Sequence, residues 1–238
     1  MATFDLALRY WPMLADGLLL TVGVSLAGIA LALVAAIPLA ACKHSRQTLR
    51  RLPASGLIEV LRNAPFIMVL FLVHFGLPRL GVRPTAWESG IIALALYGSA
   101  YFAEVLLAAY RAVPMGQTEA ARSLGLSRCV TLRRVIAPQM VSVGLPPARV
   151  IAIMLLKDSA ILSVIAVPEL THATLRIQAE TFDTLGTFII TAALYWLLAA
   201  ALGGLLDQFD RGASERRRNT LRGSPVARRY LALDGFRH

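Results

Sequence analysis

Charged and amide side chains interrupt long apolar stretches of this chain, and they are the residues best suited to chemistry. They are Glu59, Arg62, Asn63, Glu104, Lys157, Asp158 and the neighbouring Ser159. If these stretches lie in a membrane, an unpaired charge near the bilayer centre costs at least about 2.5 to 3.5 kcal/mol. The groups must therefore face protein, water or a polar solute. Ion pairing, proton transfer and the binding of polar groups are the chemistries that follow.

Helical spacing predicts how some of these groups pair. Glu59 and Arg62 are three residues apart, which places them on one face of a helix, so we predict an ion pair there. The alternatives are that Arg62 extends to the membrane surface or contacts a solute. Glu104 lies about two turns before Arg111 and is predicted to form a gate or a hydrogen bond between helices.

Lys157 and Asp158 are adjacent and lie between two apolar runs. Adjacent residues on a helix point about 100° apart, so the two need not pair with each other. We predict that one faces a solute pathway and the other a neighbouring helix. Proton transfer by Glu104, Lys157 and Asp158 in a membrane-embedded enzyme or assembly factor is the competing interpretation.

A polar segment follows the third apolar stretch and contains small residues, a glycine and a basic run. We predict that Thr118 caps a short helix carrying Glu119 and that Gly125 ends this helix. Ser127 is then predicted to start a second helix, which Pro138 breaks. The segment is either a docking surface for another protein or an amphipathic helix lying on lipid head groups.

The elements that position these residues are predicted from five apolar stretches. The 238 residues are 57% hydrophobic and 16% charged, with a mean hydropathy of +0.63, which is typical of a membrane protein. About 20 apolar residues suffice for a helix to cross a bilayer. The predicted spans are residues 17–42, 54–78, 88–110, 141–166 and 184–206. We therefore predict an all-α membrane protein with five transmembrane helices.

Basic residues predict the orientation of these spans, because cytoplasmic loops carry an excess of Lys and Arg. The segments after spans one and three and the C-terminal tail hold most of them, which also accounts for the net charge of +10. We predict an extracytoplasmic segment 1–13, a transmembrane domain 14–206 with a cytoplasmic loop 111–140, and a basic cytoplasmic tail 207–238. The arginines at 216–229 are interpreted as a solvated or lipid-touching anchor.

Other functional classes find little support in the sequence. The basic residues lack the aromatic interleaving of a nucleic-acid module, so no nucleic-acid partner is predicted. The chain contains no phosphate-binding GxxxxGK[ST] motif and is not expected to bind ATP. The four histidines and the two cysteines, Cys42 and Cys129, are scattered, so we predict neither a metal site nor a catalytic residue.

One set of residues in the polar segment resembles the coupling-loop signature of permease subunits of binding-protein-dependent ATP-binding cassette (ABC) importers. Its members here are Gly116, Gln117, Glu119, Ala120, Ala121, Gly125 and Pro138. Val135 and Ala137 stand where the family usually has isoleucine and leucine, and both keep the apolar character of these positions.

Further motifs are similar to those of the polar amino acid permease branch, and they occur in the expected order between about residues 17 and 170. They are Gly17 with Thr21, Glu59 with Arg62 and Pro65, Tyr101 with Glu104, Val113 with Pro114, and Lys157 with Asp158 and Ser159. The resemblance implies the type I importer permease fold, with the N-terminus outside, the C-terminus in the cytoplasm and a location in the bacterial inner membrane.

The resemblance also implies partners. They are a second permease subunit, identical or not, two cytoplasmic ATPase subunits, an extracytoplasmic solute-binding protein and the surrounding membrane lipid. The coupling signature would dock on an ATPase subunit, which would hold the ATP and magnesium. The chain itself would hold no cofactor and would catalyse no reaction.

The implied solute is a polar amino acid of the histidine, glutamine or glutamate type. Its ammonium group needs an acceptor and its carboxylate needs donors. Arg62, Asn63, Asp158 and Ser159 have these chemistries and are predicted to line the pathway. A related solute, such as an opine, an ectoine-like osmolyte or a sulfonate, is the alternative.

One departure from the family bears on these assignments. Where these permeases commonly read Ala-Glu-x-x-Arg-Gly-Gly, this chain has Leu107, Ala108 and Ala109 after Glu104. If the missing arginine normally pairs within the bundle, its partner is compensated by the second subunit or is itself altered. This departure favours a heterodimer.

Overall fold

The computed structural model describes the backbone of residues 3–223 and the side chains of residues 5–208. Every regular element within residues 3–223 is helical. The α-helices are α1 (Thr3–Arg9), α2 (Trp11–His44), α3 (Thr48–Asn63), α4 (Phe66–Phe71), α5 (Ala86–Arg111), α6 (Met115–Ser123), α7 (Arg128–Thr131), α8 (Ala137–Asp158), α9 (Leu170–Thr181) and α10 (Thr184–Gly223). The arginine side chains of the predicted tail, 216–229, lie outside the described side chains.

Among the described residues, three helices are long and apolar enough to cross a membrane on their own. They are α2, α5 and the first part of α10, Thr184–Gln208. Two more crossings arise only if each of two bent helix pairs counts as one span. The prediction of an all-α membrane protein is confirmed, and the number of candidate spans is between three and five.

The predicted span 54–78 is not one straight helix. The chain bends by 115° between α3 and the segment Phe66–Leu80. That segment consists of α4, a π-helical turn (Leu72–Gly76) and a 3₁₀ turn (Leu77–Leu80). The bend has a local cause: Pro65 disfavours helical backbone at the residue before it, and Ala64 is extended with ψ 141°. As a result, α3 is an independent helix that begins at Thr48.

The predicted break at Pro138 is also absent. From Arg128 to Ile165 the chain stays helical, through α7, a π-helical turn (Leu132–Ile136), α8 and a 3₁₀ turn (Ser159–Ile165). Pro138 is the second residue of α8 and directly follows the π-helical turn. The backbone hydrogen-bond pattern changes from i→i+5 to i→i+4 there, and a proline, which has no N–H to donate, stands at this change. The span predicted at 141–166 is therefore continuous with the polar segment before it.

Residues 3–13, part of the segment predicted to be extracytoplasmic, are largely helical. They contain α1 and the start of α2, so the first membrane helix begins before the predicted residue 17. Leu6 of α1 is 1% exposed and packs in a small apolar cluster with Leu14, Leu170 and Ile177. This cluster ties α1 to α2 and α9.

The core is organised around the contact between α2 and α5, which is the most extensive in the molecule. Small residues on α2 permit the close approach: Ala32 and Ala36 are fully buried. A Cβ at Gly28 would lie 2.7 Å from the Cβ of Leu94, so α5 packs directly on the α2 backbone at this point. The pair forms the support on which the charged residues are placed.

Candidate functional site

The polar segment forms a helix–turn–helix that begins and ends at recognisable signals. The short helix α6 starts after Pro114, not at a Thr118 cap as predicted, and Thr118 lies inside it. Gly125 has φ +73°, a left-handed conformation that favours glycine, and it follows the end of α6 directly. The hydroxyl of Ser127 then accepts a hydrogen bond from the backbone N–H of Val130 and caps α7 as predicted.

One face of α6 is open to its surroundings. Gly116, Gln117, Glu119 and Ala120 are all exposed, whereas Ala121 is buried and anchors the helix to the rest of the chain. The exposed face therefore presents one carboxylate and one amide on a surface of small residues. Such a surface suits the close approach of another protein.

A continuous helical connection leads from this segment into the bundle. Because α7, the π-helical turn and α8 follow one another without a break, one helical path joins the segment to Asp158. The hydroxyl of Thr131, which is 4% exposed, donates to the carbonyl of Ser127 and stabilises the first turn. Ile136, which is 5% exposed, anchors the following turn in the bundle.

An apolar cleft of about 470 Å³ separates the segment from the ends of α2 and α5. Its lining includes His44, Leu107, Tyr110, Arg122, Leu132 and Met140. Close-packed interiors leave few voids larger than a water molecule. The segment is thus less tightly packed against the bundle than α2 is against α5.

Charged residues from three helices meet near the same end of the bundle. Glu104 of α5 forms an ion pair with Lys43 at the end of α2. Its Oε1 also lies 3.9 Å from Nη1 of Arg62 on α3. The predicted Glu59–Arg62 pair is wrong: Glu59 is exposed, and among residues 5–208 it takes part in no ion pair. Arg62 turns to Glu104 instead, so one carboxylate is shared by two cations.

Two tyrosines of α5 extend this cluster. The Tyr101 hydroxyl donates to the backbone carbonyl of Arg62 at 3.2 Å, and the Arg62 guanidinium lies over the Tyr101 ring at 5.6 Å from its centroid. Tyr97 is hydrogen-bonded to Tyr101 at 3.1 Å. Arg62 is therefore held by Tyr101, and Tyr97 extends this contact along α5.

The remaining predicted pathway residues are placed differently. Asn63 is exposed, and its amide donates to the backbone carbonyl of Glu59 at 2.8 Å. Ser159 is fully buried and donates to the carbonyl of Leu156, so its hydroxyl serves the backbone of its own helix. The structure therefore holds Arg62 against α5, leaves Asn63 exposed and places Ser159 inside the packing.

Lys157 and Asp158 differ in exposure. Lys157 is exposed and lines a cleft between α8 and α10, whereas Asp158 is partly buried; which of them faces a solute pathway stays a prediction. The same cleft contains an ion pair between Arg149 of α8 and Asp207 of α10. Sequence reasoning missed this pair because the two residues are 58 positions apart and belong to different helices.

A second polar network was also missed, at the far end of the bundle. Glu169 is fully buried, and its carboxylate accepts from the backbone N–H groups of Thr171 and His172, both at 2.8 Å. It also accepts from the Tyr195 hydroxyl of α10 at 2.6 Å. The Thr21 hydroxyl of α2 accepts from the N–H of Leu170 at 3.0 Å. The network thereby joins α2, α9 and α10.

The absence of the family's usual arginine has a clear structural context. Leu107, which stands at that position, is 3% exposed and belongs to the core. Glu104, three residues earlier, finds its cations on α2 and α3 of the same chain. Because this chain itself supplies the cations that contact Glu104, the missing arginine no longer favours a heterodimer.

Comparisons with known proteins agree with one another. The profile of the family described as "binding-protein-dependent transport system inner membrane component" matches residues 28–215. A probable amino-acid ABC transporter permease protein of Bacillus subtilis is 33% identical, over 85% of this chain and 91% of its own length. The L-cystine transport system permease protein of Bacillus subtilis is 30% identical, over 85% and 87%. A crystal structure of an amino acid ABC transporter with histidines is similar with a TM-score of 0.78 and 36% identity, and covers 86% of this chain and 95% of that one.

Proposed function

Because this chain belongs to the family of binding-protein-dependent transport system inner membrane components, we propose that it carries a polar amino acid into the cytoplasm at the expense of ATP. As an amino-acid ABC transporter permease it is a multi-pass membrane protein and a transport component, not an enzyme. The proposal concerns the finer points: the direction of transport, the coupling to ATP, the partners and the residues that meet the solute.

The observation that carries the proposal is the open face of α6. Glu119, Gln117 and Ala120 are exposed on a short helix whose continuation reaches the bundle through α8. We infer that this face docks on a cytoplasmic ATPase subunit. ATP binding would bring two such ATPase subunits together, and hydrolysis would release them. The resulting displacement would move α8 as a rigid body, which is a common way of switching between two global states.

The orientation follows from the charge distribution. Arg122, Arg128, Arg133 and Arg134 lie in or beside the coupling segment, and cytoplasmic loops of membrane proteins carry such an excess of basic residues. We therefore place the coupling segment and the C-terminus in the cytoplasm and the N-terminus outside. An extracytoplasmic binding protein would deliver the amino acid to the outer end.

For the solute pathway we propose the region between Arg62 and Asp158. A zwitterionic amino acid requires a cation for its carboxylate and an acceptor for its ammonium group. Arg62 supplies the first and is only 3.9 Å from Glu104, so the carboxylate of a solute would compete with Glu104 for it. Asp158 supplies the second. Asn63 stays in the proposed pathway because it is exposed beside Arg62, whereas Ser159 is assigned to helix packing.

The transporter as a whole would consist of this chain, a second permease subunit, two ATPase subunits and the binding protein. ATP and magnesium would be bound by the ATPase subunits. The charge cluster around Glu104 is satisfied within one chain, which is compatible with either an identical or a different second permease subunit.

Reconstitution tests the proposal directly. The complete transporter in proteoliposomes is supplied with binding protein and a panel of amino acids, and solute-stimulated ATP hydrolysis and uptake are measured. Loss of one partner of a buried charge pair at an interface commonly costs about 2 kcal/mol or more of binding free energy. We therefore expect Glu119→Arg to reduce uptake about tenfold or more. The matched control is Glu180→Arg, an exposed glutamate on α9, which should transport normally.

Two results would contradict the proposal in different ways. Normal uptake by the Glu119→Arg variant would remove α6 from the coupling mechanism. Stimulation by none of the amino acids would overturn the assignment of the solute, and the alternatives of an opine, an osmolyte or a sulfonate would then be tested in the same vesicles. For the pathway, uptake unchanged by Asp158→Asn would exclude Asp158.

A further inference from the structure

We propose that α3 lies along the membrane surface and that the arginines at its start bind the head groups of anionic phospholipids. This inference goes beyond the transport function and does not depend on it. It concerns α3, part of which was predicted to belong to the span 54–78 and which a 115° bend separates from Phe66–Leu80.

The first argument is the direction of α3. The 115° bend between α3 and Phe66–Leu80 means that both segments cannot run along the bilayer normal. If Phe66–Leu80 crosses the membrane, α3 is inclined by about 25° to the membrane plane, since the bend exceeds a right angle by that amount. His44, the last residue of the membrane helix α2, is only four residues before Thr48. Arg62, near the other end of α3, shares Glu104 with Lys43 at the end of α2, so both ends of α3 lie near the same end of α2.

The second argument is the distribution of side chains around α3. Ala54, Ile58 and Leu61 follow one face of the helix and are buried against the bundle. On roughly the opposite side, Leu49 is 89% exposed and Val60 is 65% exposed. A helix packed on one apolar face, with a second apolar face left open, requires a further apolar environment. Acyl chains just below the head groups provide one.

The third argument is charge. Arg46, Arg50 and Arg51 stand at or just before the first turn of α3, and all three are exposed. Among the ion pairs of residues 5–208 none includes any of them. Basic residues beside an exposed apolar face are the pattern of a helix that binds an anionic membrane surface. The charge favours lipid over an apolar protein surface as the occupant.

A consequence for the charge cluster follows from the position of Arg62. It is on the same helix, near the other end from these arginines, and it contacts Glu104 of α5. Head groups that hold the start of α3 would therefore also restrict the helix that brings Arg62 to Glu104.

The first experiment measures the depth of α3 in the membrane. Spin labels are placed at Leu49→Cys and, separately, at Val60→Cys in the full chain, with Cys42→Ser and Cys129→Ser, in lipid nanodiscs. The depth of each label is determined from its accessibility to oxygen and to a nickel chelate. Along a membrane span the two sites, eleven residues apart, would differ in depth by about 16 Å at ~1.5 Å per residue. We expect a difference of less than about 8 Å, and the full 16 Å would overturn the proposal.

The second experiment tests the lipid preference. The label at residue 49 is exposed to head-group-labelled phosphatidylglycerol or phosphatidylcholine in otherwise identical nanodiscs. One basic residue near an anionic surface favours binding about fivefold, so phosphatidylglycerol should be clearly enriched. The triple variant Arg46→Gln, Arg50→Gln, Arg51→Gln should lose the enrichment, and the matched variant Arg79→Gln, Arg83→Gln, Arg176→Gln, which removes three exposed arginines elsewhere, should keep it.

Equal contact with both lipids in the unmodified chain, or enrichment unaffected by the triple variant, would contradict the proposal. So would loss of lipid contact at residue 49 when the ATPase subunits are added, because it would identify this face as a protein docking surface. None of these readouts requires transport, so failure of the proposed transport function would leave them interpretable.

Discussion

Two glutamates of this chain are held in opposite ways. Glu169 is fully buried and accepts hydrogen bonds from two backbone N–H groups and one tyrosine hydroxyl. The side chain of Glu104 is 28% exposed, and its carboxylate contacts two cations, Lys43 and Arg62, of which Arg62 is 3.9 Å away. The two sites contact α2 at different levels, through Thr21 and Lys43, which are about 33 Å apart along that helix at ~1.5 Å per residue.

The difference indicates which end of the bundle holds its shape and which can rearrange. Backbone donors in the first turn of α9 define one position for the Glu169 carboxylate. Lys43 and Arg62 instead reach Glu104 on long side chains from two other helices, and such side chains can exchange partners when helices shift. The Glu169 end joins α2, α9 and α10, whereas the Glu104 end lies on the side of the polar segment and of the cleft of about 470 Å³ beside it.

The largest effect is expected from Glu169→Ala. The substitution removes the acceptor of the Tyr195 hydroxyl and of two backbone N–H groups, all of them partly buried, and a buried group left unsatisfied costs about 1 to 3 kcal/mol. A loss of about 3 kcal/mol would lower Tm by roughly 6 to 12 °C for a chain of this size. Thermal unfolding of the purified chain measures it, with Glu180→Ala on the exposed side of the same helix as the control. Equal Tm values for the two variants would show that the Glu169 hydrogen bonds do not stabilise the fold.

A smaller effect is expected at the other glutamate. Partly exposed ion pairs contribute about 1 kcal/mol, so Glu104→Gln should lower Tm by only roughly 2 to 4 °C. A double-mutant cycle with Lys43→Met isolates the pair, and we expect a coupling of about 1 kcal/mol. Additive effects of the two substitutions would show that the contact contributes nothing. A loss as large as that of Glu169→Ala would erase the contrast between the two ends.

The smallest effect is expected from Glu59→Gln. Glu59 is exposed, and its backbone carbonyl, which the substitution preserves, accepts from Asn63. Both Tm and uptake should match those of the unmodified chain. A clear loss of either would restore the Glu59–Arg62 pair expected from helical spacing and would count against the Arg62–Glu104 contact.

The sequence predicted the long helices well because membrane helices have a strong local signal. The uncharged runs in α2 and in the first part of α10 are long enough to cross a bilayer, and both are found as single helices. Pro65 indicated a bend after Asn63, but the largely apolar composition of 54–78 favoured the prediction of a single span. Hydropathy alone does not distinguish a span from a surface helix followed by a short apolar segment.

The charged contacts were less predictable, because they depend on packing between distant segments. Lys43 and Glu104 are 61 residues apart, and no spacing rule connects them. Spacing favoured Glu59 as the partner of Arg62, but the guanidinium turned to α5. Glu169 gave no signal, since glutamate is not among the residues that commonly cap helices. The coupling residues were identified by resemblance, and their role stays a prediction.

The most direct test of the coupling role is a crosslink from Glu119. In a chain with Cys42→Ser and Cys129→Ser, Glu119→Cys is treated with a bifunctional thiol reagent in the purified transporter, and Glu180→Cys serves as the control. The account predicts that the residue 119 variant is joined to an ATPase subunit, that uptake then stops, and that the control is not joined. A residue 119 variant that reacts only with lipid-soluble reagents, or that forms no bond with an ATPase subunit, would contradict it.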